Sequence, residues 1–170
     1  MTGVQTCALP ICTAVLTYET DGTGSNGNSG LAAIAAGSQS INVNGAVYRE
    51  AAVATTSVTP GITLAARVGG AASSTISVTN TSVDGFTEGL NVARGTTAAG
   101  FTSSGGPVTN LAANASSSAI GVALNTTTAG SFSGNQVLAL ASNGSITSNS
   151  DVMLGNVNVP TMQSPDRWCR

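Results

Sequence analysis

Gly134–Ser148 reads GNQVLALASNGSITS, and Cys12–Asn26 reads CTAVLTYETDGTGSN. Set one over the other, at an offset of 134 − 12 = 122 residues, Val15 falls on Val137, Leu16 on Leu138 and Gly22 on Gly144. Tyr18 falls on Leu140 and Asp21 on Asn143. Each copy is a short apolar segment closed by an Asx-Gly pair, and these residues supply turn conformations. An extended segment running into a tight turn, present in two copies, predicts a β-protein with an internal repeat. SINVNG (Ser40–Gly45) and NVNVP (Asn156–Pro160) make a second matching pair at slightly shorter spacing.

The rest of the chain carries the same period of two. Ile41 and Val43 alternate with Asn42 and Asn44, STISVTNTS alternates through Ile76 and Val78, and AIGVALN does so through Ile120, Val122 and Leu124. Within QVLALAS, Val137, Leu138 and Leu140 do not keep strict alternation. Alternating runs punctuated by Gly, Asn, Asp and Ser predict antiparallel β-structure. Asn44-Gly45 has the chemistry of a hairpin turn or a bulge. GLAAIAAG (Gly30–Gly37) is the best helical candidate, but it is short and bracketed by glycines, which predicts a helical turn or a loop.

Composition narrows the function. The charged fraction is 7%, with a net charge of −2, against about 25% charged in ordinary soluble domains. Lysine and histidine are absent, so a basic footprint for nucleic acid is missing. Aromatic residues make up 4%, which leaves Val, Ile, Leu and Ala to build a thin core. No apolar run reaches the roughly 18 residues of a bilayer-spanning helix. Without histidine or lysine there is no base for a Ser-His-Asp or Ser-Lys arrangement, and metal sites lose their commonest nitrogen ligand.

The local motifs are weak. GTGSNG (Gly22, Gly24, Gly27) matches a phosphate-binding glycine pattern with Glu50 downstream, but no adequate helix follows it. Asp21, Thr23 and Ser25 have calcium-loop spacing, but Asn26 and Ala32 occupy the positions that need glycine and a bidentate acid. Asp84 and Glu88 are a close acid pair flanking Gly85 and Phe86, and they read as surface charge on a loop. Asn80, Asn114, Asn125 and Asn143 each begin an N-x-S/T triplet, as expected in so Asn- and Ser/Thr-rich a chain. Trp168 lies in a tail, PDRWCR, that departs from the composition before it. No catalytic, cofactor-binding or metal-binding residue is assigned, and no cofactor is expected.

Past Val58 the stretch GITLAARVGGAASSTISVTNTSVDGFTEGLNV resembles the start of bacterial ASH- or Hydin-type immunoglobulin-like repeats, the choice-of-anchor D domains. LNTTTAGSFSGNQVLALASNGS (Leu124–Ser145) resembles their later half, and QSINVNGAVYRE resembles a closing strand. Ala65-Ala66 departs from the Phe-Gly-like pair usual there. The resemblance implies an Ig-like antiparallel β-sandwich, with a strand over Ile62–Val68, a Gly69-Gly70 turn and Val78 pointing inward. Asn80 would cap a turn, and Gly130 and Gly134 would supply tight-turn conformations. It also implies a non-enzymatic structural segment, stalk or adhesin-like, of a large secreted or surface-exposed bacterial protein. Its partners would be neighbouring repeats, or a surface glycan or protein. The alternative is a β-sandwich module binding a glycan or protein through loops such as Asp21–Gly30 or Thr96–Pro107. A β-solenoid would need a repeat of about 20 residues instead.

The opening MTGVQTCALPI resembles the one-frame translation of a widely used sequencing-adapter oligonucleotide. That oligonucleotide ends in T, and a T replacing the first base of a GGT or GGC glycine codon yields cysteine. Cys12 aligns with Gly134 and fits such a junction. Residues 1–11 are therefore expected to be adapter-derived and are set aside from fold reasoning. With them goes any disulfide inference from Cys7, Cys12 and Cys169. The expected organisation is then residues 12–53 as the tail of a truncated β-repeat, 54–159 as a near-complete unit, and 160–170 as an unassigned tail.

Overall fold

A computed structural model describes residues 10–20, 32–54 and 57–164. The chain divides into two compact units, Met1–Val47 and Tyr48–Arg170. The protein is an all-β sandwich protein, and a 3-10 turn at Gly144–Thr147 is the one named helical element among the described residues.

The first unit holds β1 (Pro10–Glu19) and β2 (Ala35–Asn44), paired antiparallel. Ala14 faces Ile41 and Leu16 faces Gln39, while Tyr18 sits opposite Gly37 at the edge of a register shift. Gly37 has φ +110°, a conformation that glycine reaches without a Cβ penalty. Of the helical turn or loop predicted over GLAAIAAG, residues 32–34 are loop, and Ala35 and Gly37 are drawn into the ladder with β1. Asn44 ends β2, and no hairpin forms at Asn44-Gly45.

The second unit is built from β3 (Ile62–Leu64), β4 (Ser73–Thr79), β5 (Gly89–Thr97), β6 (Phe101–Ser104), β7 (Val108–Leu111), β8 (Ser116–Leu124), β9 (Ser133–Asn143) and β10 (Val152–Gln163). One sheet has the order β3-β10-β9-β5-β7 and the other β4-β8-β6. Ladders within both sheets are antiparallel except β3 with β10, which run parallel from Ile62 opposite Thr161 to Leu64 opposite Gln163. Pro160–Gln163, which the sequence leaves unassigned, continue β10, and Thr161 is fully buried.

Alternation explains the core. Ile76 and Val78 on β4 and Ile120, Val122 and Leu124 on β8 face Leu90, Val92, Leu138, Leu140 and Val159 of the larger sheet in one buried cluster. Each such side chain taken from water contributes roughly 1.5–3 kcal/mol. On β9 the inward positions are Gln136, Leu138, Leu140 and Ser142, so Val137 belongs to the other face and the irregular apolar run resolves into strict period two. Gln136 is accommodated because its Oε1 accepts from Thr97 Oγ1 at 2.7 Å and its Nε2 donates to the Val137 carbonyl at 2.9 Å.

Three local expectations are corrected. β3 stops at Leu64 rather than reaching Val68, although the turn at Gly69-Gly70 forms, with Gly69 at φ +75°. Gly130 and Gly134 are not among the residues with positive φ. Gly134 is a strand residue, and a Cβ there would collide with the Ala98 Cβ, so close packing rather than turn geometry demands glycine. Thr96–Pro107 is not an open loop, because it contains the end of β5 and all of β6, and Phe101 is buried.

The β9–β10 pairing has the same irregularity as β1–β2. Leu140 sits opposite Gly155, at φ +100°, next to a register shift between Met153 and Gly155.

The two faces of β9 differ in burial, and unfolding in urea should show it. Leu138→Ala is expected to cost about 3 kcal/mol and Val137→Ala about 1 kcal/mol or less. Equal losses would contradict the register.

Candidate functional site

The segment after Tyr48 closes one end of the sandwich. Arg49 and Thr87 form a parallel bridge, the Arg49 amide donates to the Phe86 carbonyl at 3.0 Å, and the Glu88 amide donates to the Arg49 carbonyl at 2.8 Å. The half-buried rings of Tyr48 and Phe86 meet at a tilt of 47° with their centroids 6.0 Å apart. The same turn brings Asp84 beside Arg49 and the Phe86 amide.

Asp84 and Glu88, read from sequence as one surface acid pair, serve separate ends. Asp84 is exposed and forms an ion pair with Arg49. The Arg49 hydrogen bond, aided by the Phe86 amide, holds its carboxyl below the usual range despite some desolvation. Glu88 is buried instead. Its Oε2 accepts from Ser142 Oγ at 2.7 Å and its Oε1 from Thr147 Oγ1 at 2.6 Å. Ser142 Oγ in turn accepts from the Ala51 amide at 2.7 Å. Glu88 thus joins β9, the 3-10 turn and the segment around Ala51. With both oxygens engaged by protein hydroxyls, Glu88 clamps these elements together.

A second polar cluster lies alongside. Asp151 accepts from Asn91 Nδ2 at 2.7 Å and from the Gly144 amide at 3.2 Å, and Asn91 Oδ1 accepts from Asn143 and from the Asn110 amide. Asn143 also caps the 3-10 turn, its Oδ1 accepting from the Ser145 amide. Asn80 follows β4 and caps the turn after it. It is fully buried, its Oδ1 accepts from the Ser82 amide and hydroxyl, and its Nδ2 donates to the Leu111 carbonyl. That side chain has no free surface for modification.

A cleft beside these groups has a volume of about 460 Å³ and is lined by Gly85, Thr87, Gly89, Asn110, Ala112, Ala113, Ser145 and Ile146. None of these side chains is a nucleophile–base pair or a charge. A smaller depression of about 150 Å³ carries Arg49 and Glu50 with Thr81, Ser82 and Thr87. Among the described residues no three His, Cys, Asp or Glu side chains gather as a metal site. No helix of the described structure is long and apolar enough to cross a membrane. Asp21, Thr23, Ser25, the GTGSNG stretch and Trp168 lie outside the described residues. Glu50 is exposed.

No protein-family model matches the chain. A search of the curated proteins finds none similar to it.

Two outcomes follow from the carboxylates. Glu88→Ala strips the acceptor from two hydroxyls and should cost about 2–4 kcal/mol in chemical denaturation, with Glu88→Gln losing distinctly less; equal losses would contradict the clamp. Asp84 has a depressed folded pKa, so its contribution is present above the unfolded value, near pH 4. It fades as pH falls through the lower folded value. Thermal melts of Asp84→Asn and the parent chain should therefore differ slightly at pH 7, and the difference should shrink as the pH is lowered below about 4.

Proposed function

We infer that the chain is a structural segment of a long repetitive β-protein, non-enzymatic, built from Ig-like sandwich units of the choice-of-anchor D or ASH-Hydin type. In this reading it acts as a stalk or adhesive spacer in a secreted or surface-displayed bacterial protein. The observation that carries the reading is the equivalence of the two hairpins. With β1 on β9 at 122 residues and β2 on β10 at 155 − 37 = 118 residues, every partner pair from Cys12–Val43 to Glu19–Ala35 lands on a pair from Gly134–Thr161 to Ala141–Met153. The positive-φ glycines, Gly37 and Gly155, coincide as well. A matched bulge is a stronger sign of common architecture than matched composition, because one extra residue must fall at one place in the ladder.

The correspondence stops between Cys12 and Pro10, where β1 has a second register shift that β10 and β9 lack at the equivalent Thr161 and Met162.

The topology of the second unit suits a load-bearing role. Its first and last strands, β3 and β10, are parallel neighbours. Tension along the chain pulls them in opposite directions along their own axes, so their hydrogen bonds are loaded together rather than one at a time. Low charge and small polar side chains on the outer faces are consistent with an extended extracellular array.

Sequencing the source locus across residue 12 with long reads tests this reading. The expected frame runs through codons that replace residues 1–11, carries glycine at position 12, and encodes upstream a segment similar to residues 48–133. A genome that encodes MTGVQTCALPIC contiguously would overturn it.

A further inference from the structure

The β1–β2 hairpin presents an apolar face and two strand edges that have no ladder partner among the described residues. Leu16 is 45% exposed, Tyr18 46%, Ile41 43% and Val43 42%. Their counterparts by register are Leu138, Leu140, Val159 and Thr161, which are 0%, 3%, 0% and 0% exposed. What covers that face in the second unit is explicit. The inner sides of β4 and β8, with Ile76, Ile120 and Val122, pack over it in the same cluster. The edges are covered too, since β9 pairs with β5 and β10 pairs with β3.

We propose that the β1–β2 hairpin is the closing hairpin of a second sandwich and docks into an acceptor with the chemistry of residues 48–133. Such an acceptor offers an apolar Val/Ile/Leu face, a β5-like antiparallel edge for β1 and a β3-like parallel edge for β2. The proposal rests on the hairpin equivalence used above, and it adds which face is an interface and what fills it. One partner satisfies three needs at once. The apolar face is removed from water, and the unpaired amides and carbonyls of both edges gain ladders. Val15, 58% exposed, is excluded from the contact because its counterpart Val137 is on the outer side of β9.

The test places a second copy of residues 48–133 directly ahead of Cys12 in the full chain and follows amide hydrogen exchange in peptides covering β1 and β2. Relative to the unextended chain, exchange there should slow by about a hundred-fold, into the range of β9 and β10. Leu16→Asp in the extended chain should abolish the gain and leave β9 and β10 protected. A parallel extension that ends in its own copy of β9–β10 controls for folding of the added segment. If that control is protected while β1 and β2 exchange as before, the proposal is overturned. A stable dimer of the unextended chain that Leu16→Asp dissolves would make a second copy the occupant and overturn it equally. Docking without an upstream segment in the source locus would refute the repeat reading alone; an upstream segment without docking would refute only this proposal.

Discussion

β9 is the strand on which the second unit depends. It pairs along its length with β10 on one side and β5 on the other, so both its backbone edges are consumed. Its inward side chains run Gln136, Leu138, Leu140, Ser142. The two leucines anchor the aliphatic core between the sheets. The two polar ends fasten the periphery: Gln136 takes the Thr97 hydroxyl, and Ser142 bridges Ala51 to Glu88. A slip of one residue would turn the leucines outward and break both fastenings together, which is why a strand flanked by polar positions can hold a single register.

The core is made almost wholly of small aliphatic side chains, with Phe101 its one buried aromatic among the described residues. Such a core is thin, and each unit of apolar area contributes modestly. Buried Asn80, Ser82, Glu88, Gln136, Ser142 and Thr161 lie at its margins, each with a hydrogen-bond partner. Buried polar groups add little net stability when paired but penalise every arrangement that leaves them unpaired. Their role here is to select one closure of the sandwich, particularly at the end where Tyr48–Val53 returns onto Thr81–Glu88. These same contacts explain why acidic and asparagine side chains that look available in the sequence are committed internally.

The sequence alone determined the all-β class, because alternation through Ile76–Val78 and Ile120–Leu124 is a local property of a pleated strand. It also contained the likeness of the two hairpins, since strand and turn residues recur there in order. β5, β6 and β7 were not legible. GLNVARGTT, FTSS and VTNL are short or interrupted, and they become strands because β9, β8 and β5 offer them edges. The burial of Glu88 left no mark either, because its partners Ser142 and Thr147 lie 54 and 59 residues away.

Only the tertiary structure decided which face of β9 points inward and that Gly134 is required by Ala98 rather than by a turn. It also decided that β10 runs on through Gln163 beside β3. The physical reason is common to all of these. A strand's period is written in its own residues, but its edges and the face it buries are completed by segments distant in sequence. Hydrogen-bond satisfaction across those distances, not local propensity, fixes the outcome.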